Sequence, residues 1–231
     1  MSTRYILIPG AENPQVMEEL RKQLAEAEIV SLDCFSEGAE RLLTSFSWEG
    51  AIQELRSKIN PKSNEKIILV GHSLGALLAL ELADCAERVV LICPSFNLNH
   101  WAAKLHFLMV KMGIPCAESI LRIFARSLFP SGQISVHNFY GNLVRNHGSN
   151  EWKTLVFRNW PSTFLAKVQY AREKAWSLIR KYQLKIVVIE AKEDRLCPPM
   201  HSYCGVNSTI LPGSHFLPME SVAALVKIIS G

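Results

Sequence analysis

The chain has 231 residues, is 48% hydrophobic and 20% charged, and carries a formal net charge of +4. That length holds one well-packed domain, or one domain with an insertion, and the composition excludes a disordered chain. No uncharged apolar run reaches the 18 or so residues of a membrane-spanning helix, and the start, MSTRYILIPG, lacks the basic-then-apolar pattern of a secretory signal. A cytoplasmic location is expected, with the six cysteines as reduced thiols, since none forms a Cys-x-x-Cys pair and their spacing does not suggest zinc.

In chain order, Arg4–Ile8 is a short β-rich run that stops at Pro9-Gly10. Residues 14–27 carry Val16, Leu20 and Leu24 at helical spacing after an Asn13-Pro14 start signal. Glu28–Cys34 reads as a strand. Ser47–Ile59 reads as a helix capped by Ser47 and stopped by Asn60-Pro61. KIILV is a strand, LGALLALELAD a helix and Arg88–Cys93 a strand. No convincing strand follows from Asn97 to about Tyr170, where HWAAKLHFLMVKM and ESILRIFARSLF read as amphipathic helices and more helix is expected over Ser162–Lys181. Lys185–Ala191 and Asn207–Leu211 are strands, and Pro218–Ser230 is a helix with Val222, Leu225, Val226 and Ile229 facing inward.

Short, continuous, β-branched strands separated by helices predict a parallel sheet covered on both faces. The fold class is therefore α/β, a doubly wound, mostly parallel sheet of about six strands. The expected organisation is a core of residues 1–96 and 182–231, with a helical lid of residues 97–181 inserted between sheet strands.

The segment Gly71-His72-Ser73-Leu74-Gly75 fits Gly-x-Ser-x-Gly and falls between a predicted strand and a predicted helix, the setting a nucleophile elbow requires. The turn is so tight that side chains at the flanking glycines would collide with neighbouring backbone. Ser73 is thereby presented above the C-terminal edge of the sheet. A serine alone is a poor nucleophile, so a base and an orienting acid are needed, and after such an elbow they follow in the order acid, then histidine. The loop after Lys185–Ala191, KEDRLCPP, offers Asp194, with Glu193 in reserve. Of seven histidines, His215 in LPGSHFLPME lies between the last strand and the last helix and reaches back to Ser73, whereas His72 sits inside the elbow and points away from the hydroxyl. An oxyanion hole needs two backbone N–H groups, expected from Leu74 and, in the loop after the first strand, from Ala11.

On LIPGA, LVGHSLGA, EAKEDRLCPP and GSHFLPME, essentially the full length resembles the α/β-hydrolase superfamily in its small, lid-bearing branch. Within that branch it is similar to carboxylesterases that demethylate pimeloyl-carrier-protein methyl ester, and to short acyl thioesterases. The resemblance implies an α/β-hydrolase fold and a serine esterase with Ser73 as nucleophile, Asp194 as orienting acid and His215 as base. Two features depart from the family pattern. The usual His-Gly after the first strand is Pro9-Gly10, and the antiparallel strands that often precede that strand are not expected here. No metal, nucleotide or flavin signature occurs, so no cofactor is expected, and no nucleic-acid partner.

The charge is unevenly spread. Asn97–Lys185 holds thirteen Lys and Arg against three acids, a net +10, which leaves −6 on the rest. A basic lid over a serine site suits a substrate with an acidic handle, such as an acidic acyl-carrier protein, or an anionic membrane surface met peripherally. Its apolar residues, Trp101, Leu105, Leu108 and Phe124 among them, either line an acyl channel or pack on the core. The expected activity is hydrolysis of a carboxylic ester of an acyl chain; the alternatives are an acyl thioesterase on carrier-bound or coenzyme A-bound groups and a lipid-surface esterase or lipase.

Overall fold

The computed structural model describes residues 2–10, 14–32, 47–62, 65–97, 163–195, 197–200, 203 and 205–231. Six strands form one sheet: β1 (Thr3–Ile8), β2 (Ala27–Ile29), β3 (Lys66–His72), β4 (Arg88–Ile92), β5 (Ile186–Ala191) and β6 (Asn207–Leu211). Their order is β2-β1-β3-β4-β5-β6 and every neighbouring pair is parallel. The sheet winds outward from β1 to β2 and then back past β1 to β3. Its switch point therefore lies between β1 and β3, where ligands of open α/β sheets bind at the carboxyl ends of the strands.

Alternation along each strand divides the core in two. Ile6 and Ile8 of β1, Leu69 of β3, Leu91 of β4 and Val188 of β5 face one side. There they meet α2 (Trp48–Ile59), α3 (Leu74–Glu81) and α4 (Thr163–Tyr182), through Leu55, Leu77 and Ile179 among others. Leu7, Val70, Val90 and Ile189 face the other side, against α1 (Glu18–Gln23), α5 (Leu217–Glu220) and α6 (Val222–Ser230). Helix α3 is apolar all round because it is enclosed, with every residue from Leu74 to Leu80 buried. Helix α2 begins as its sequence dictates. Ser47 Oγ accepts from Gly50 N at 2.9 Å, and the helix ends where Asn60 takes a left-handed conformation at φ 41°.

Some elements differ from their sequence reading. β2 runs only over Ala27–Ile29: after a last ladder bond from Val30 N to Leu7 O at 2.9 Å, Val30 and Leu32 turn into the core, and Asp33 and Cys34 of the expected strand lie outside the described residues. The first helix opens with a 3-10 turn at Pro14–Met17 and stops at Gln23, because Glu26 at φ 54° reverses the chain into β2. The last helix is two helices with a break at Ser221, whose hydroxyl donates to Pro212 O at 3.2 Å. Leu225 and Ile229 are buried as expected, while Val222 and Val226 are only partly covered.

The helix expected over Ser162–Lys181 is α4, and its Ala175 and Ile179 pack into the core. Of the segment read as a lid, residues 98–162 lie outside the described residues, and with them Trp101, Leu105, Leu108 and Phe124. Among the described residues no helix is long and apolar enough to cross a membrane.

Candidate active site

The end of β3 runs directly into α3 through Ser73, which holds φ 55° and ψ −117°. A non-glycine residue in that region costs on the order of 1–3 kcal/mol and persists only where its surroundings fix it. Here the backbone is held on both sides: Ser73 N donates to Ile92 O at 3.0 Å, and Ser73 O accepts from Ala76 N at 3.2 Å and Ser95 N at 3.3 Å. The flanking glycines make the turn possible. A Cβ on Gly71 would lie 2.5 Å from Ala76 Cα, and one on Gly75 would press on the carbonyls of Ile8 and Pro9. The start of α3 is thus packed directly on the chain leaving β1.

Two loops at the same sheet edge bring the partners. After β5 the chain turns at Asp194, whose N–H donates to Ala191 O at 3.2 Å. Asp194 is 3% exposed. Its Oδ1 accepts from Cys197 N at 2.8 Å and its Oδ2 accepts from His215 Nδ1 at 2.7 Å. Glu190, at the end of β5, anchors the following chain by accepting from Met200 N at 2.6 Å and from the Tyr203 hydroxyl at 2.5 Å. Burial, then this bond to Glu190, pushes the Tyr203 phenol far up, so it remains a neutral donor.

His215 follows β6 in a loop fastened by carboxylates. Glu193 Oε2 accepts from Gly213 N at 2.6 Å, while Glu220 accepts from Ser214 N at 2.5 Å and Ser214 Oγ at 2.8 Å. The two acids of the loop after β5 therefore have different duties: Glu193 holds the histidine's loop and Asp194 holds the histidine's ring.

The imidazole of His215 is fully buried and joins both ends of the relay. With Nδ1–H donated to Asp194, Nε2 accepts from Ser73 Oγ at 2.9 Å. Burial opposes charge on the ring, but the Asp194 carboxylate, with Cys197, outweighs it and raises the His215 pKa well above its ordinary 6.5. Ser73, Asp194 and His215, named from sequence, are thus brought together in the geometry of a Ser-His-Asp triad. Leu74 is the first residue of α3, so its N–H has no carbonyl a turn earlier to receive it. Ala11 lies outside the described residues, directly after the Pro9-Gly10 segment.

Sequence reasoning placed His72 in the elbow without giving it a role, and it missed two further neighbours, Ser95 and Cys197. His72 is fully buried, and its Nε2–H donates to the carbonyl of His215 at 2.7 Å, which fixes the base's backbone from inside the elbow. Ser95 and Cys197 also reach the centre, with Ser95 Oγ 3.2 Å from Ser73 Oγ. Only the position of Ser95 three residues after β4 hinted at this, because that strand end lies beside the elbow. Ligand-type atoms of Cys93, Asp194 and His215 lie within 4.8 Å of one another. Burial, with Asp194 adding to it, pushes the Cys93 thiol well up, and both nitrogens of His215 are engaged, Nδ1 by Asp194 and Nε2 by Ser73.

The fold and this site define a hydrolase of the α/β class. Residues 6–228 match the Alpha/beta hydrolase family, and the chain belongs to it. No curated protein sequence matches. Among solved structures it is similar to a thermophilic esterase from Thermogutta terrifontis, at TM-score 0.67 and 11% identity over 100% of this chain and 89% of that one. It is also similar to a bromoperoxidase from Bacillus anthracis, at TM-score 0.64 and 11% identity over 100% and 93%. A thioesterase domain from the curacin biosynthetic pathway aligns at TM-score 0.57 and 16% identity over 98% and 90%.

Proposed function

We propose that this protein is a serine hydrolase that cleaves a carboxylic ester of an acyl chain through an acyl-enzyme. The observation that carries the reading is the unbroken relay, at 2.7 and 2.9 Å, from Asp194 through His215 to a hydroxyl held on a strained elbow. Ser73 Oγ attacks the ester carbonyl as its proton passes to His215 Nε2, and a bond forms between Oγ and the carbonyl carbon. The charge on the carbonyl oxygen is taken by the N–H of Leu74 and by that of Ala11. Close packing of Gly75 against Ile8 and Pro9, which brings the chain after β1 to the elbow, supports this pairing. The tetrahedral intermediate collapses, the leaving alkoxide takes the proton from His215, and the acyl group remains on Ser73. Water then repeats the sequence, with its proton going to His215 and thence to the departing Ser73 oxygen.

The ester is, in this proposal, a methyl ester on an acyl chain that is linked to an acidic carrier protein. The support is the net +10 of Asn97–Lys185. The helical lid of residues 97–181 supplies that surface, over a core formed by residues 1–96 and 182–231, with the acyl chain lying along Trp101, Leu105, Leu108 and Phe124. The test is a panel of p-nitrophenyl esters of increasing acyl length, run beside matched oxygen and sulfur esters of one acid. Turnover of the oxygen esters supports the reading. Hydrolysis confined to the sulfur esters would make the protein a thioesterase, and no turnover of either would overturn the proposal.

A further inference from the structure

Ser95 lies outside the three-residue relay, yet its hydroxyl is 3.2 Å from Ser73 Oγ and 5% of the residue is exposed. It follows β4 in the 3-10 turn Ser95–Asn97, and its own N–H donates to Ser73 O at 3.3 Å, so its position is tied to the elbow. The direction of the hydroxyl contact is fixed by the acid at the far end. A carboxylate only accepts, so His215 Nδ1 must donate to Asp194. Neutral His215 then offers Nε2 only as an acceptor, and the Ser73 proton is committed to it. Toward Ser95, Ser73 Oγ is therefore an acceptor, and Ser95 is the donor.

Cys197 closes the circuit. Its thiol lies 4.0 Å from Ser95 Oγ, at the outer reach of a sulfur hydrogen bond, and its backbone N–H donates to Asp194 Oδ1 at 2.8 Å. Burial, chiefly, raises the Cys197 thiol, which keeps its proton available to Ser95. One residue thus steadies both the acid and the second serine.

We propose that Ser95 is a fourth catalytic residue, whose hydroxyl donates to the reacting oxygen of Ser73, with Cys197 as the positioning residue that turns it there. This rests on the reading of Ser73 as nucleophile. As Oγ gives up its proton to His215, partial negative charge develops on it before the new carbon–oxygen bond is complete. The same charge reappears when Oγ departs from the acyl group. Ser95 stabilises it at both stages and keeps its own proton throughout, so the proton balance of the triad is unchanged. A hydrogen bond to a charged oxygen is about twice as strong as one to a neutral hydroxyl, so the contact favours the transition state over the resting enzyme.

The experiment measures kcat and KM on a p-nitrophenyl ester, and the second-order rate of fluorophosphonate labelling at Ser73, for wild type, Ser95→Ala, Ser95→Thr, Cys197→Ala and the Ser95→Ala/Cys197→Ala double variant. Ser95→Ala is expected to lower kcat and the labelling rate together, by about 10- to 100-fold, the worth of one charge-assisted hydrogen bond, with KM unchanged. Ser95→Thr, which keeps the hydroxyl, should recover most of the rate. Cys197→Ala should lose a few-fold, and the double variant should be no slower than Ser95→Ala alone, since the thiol acts through that hydroxyl. Full activity in Ser95→Ala, with Ser73 still labelled, would overturn the role of Ser95 and leave the triad standing. Equal losses in Ser95→Ala and Ser95→Thr, with a lowered unfolding midpoint in both, would reduce Ser95 to packing. A wild type that the probe does not label at Ser73 would overturn this proposal and the triad together.

Discussion

Replacing Asp194 by Asn changes one atom and tests how the site sets the tautomer of its base. The carboxylate takes two hydrogen bonds, Oδ1 from Cys197 N at 2.8 Å and Oδ2 from His215 Nδ1 at 2.7 Å. An amide can satisfy only one of these donors with its oxygen. If the oxygen turned to His215, the NH2 would face the Cys197 N–H, donor against donor in a buried site, at a cost of about 1–3 kcal/mol. The favoured arrangement keeps the oxygen on Cys197 and turns the NH2 toward Nδ1, which must then accept. The ring proton moves to Nε2, which faces Ser73 Oγ at 2.9 Å and can no longer take its proton. In triads of this geometry such a trap lowers kcat by about 10⁴, or about 5.4 kcal/mol at 1.36 kcal/mol per decade. The assay is kcat on a p-nitrophenyl ester with circular dichroism on the same samples, and with Glu193→Gln as control. That control should stay near wild type, because Glu193 bonds Gly213 N rather than His215, and a glutamine oxygen still accepts there. An Asp194→Asn variant within tenfold of wild type, or a collapse in Glu193→Gln instead, would refute the reasoning.

Other consequences follow from the same contacts. Since the net effect of burial and of the Asp194 carboxylate is to raise the His215 pKa above 6.5, kcat/KM should rise with pH through a midpoint above that value, and a midpoint at or below it would contradict the assignment of the cause. The raised value also stabilises the fold: the contribution is complete below about pH 6.5 and is lost as pH rises through the folded-state pKa, so thermal unfolding of wild type should show a decline in that window that His215→Gln lacks. Gly75→Ala should lower stability by roughly 1–3 kcal/mol and cut activity with it, because its Cβ meets backbone carbonyls of Ile8 and Pro9 that cannot swing aside; denaturant midpoints that match wild type would refute this. If the basic segment of Asn97–Lys185 docks an acidic carrier, KM for a carrier-linked ester should climb with salt as the Debye length falls from about 10 Å at 0.1 M to about 3 Å at 1 M, while a small neutral ester is indifferent.

The centre of the sheet was readable from the chain because β3, β4 and β5 are largely buried and so stand out as apolar β-branched runs. β3, β4, β5 and β6 fall within two residues of their expected bounds. β2 was overread because Val30 and Leu32 are as apolar as strand residues, although they pack into the core beyond the ladder. The break at Ser221 was missed because the apolar spacing of Val222–Ile229 continues that of Leu217, while the interruption depends on a hydroxyl reaching Pro212 O. The triad was legible because each member has a positional signature: an elbow, a turn after β5, a glycine loop after β6. Ser95 has only its place just past β4 as a hint, and Cys197 and the role of His72 carry no such signature. They matter through contacts between separate loops, 22 residues apart for Ser95 with Ser73 and 143 for His72 with the His215 carbonyl, and spacing in one chain does not encode these.

The central claim is that Ser73 is the nucleophile, activated by His215. The most direct measurement treats wild type, Ser73→Ala and His215→Ala with a fluorophosphonate probe, maps the modified peptide by mass spectrometry and follows ester hydrolysis in parallel. The account predicts one adduct on wild type, at Ser73, with hydrolysis lost in step with labelling. It predicts no adduct on Ser73→Ala, and labelling of His215→Ala slowed by about 10³-fold or more. An adduct on another residue, or hydrolysis that survives in Ser73→Ala, would contradict it.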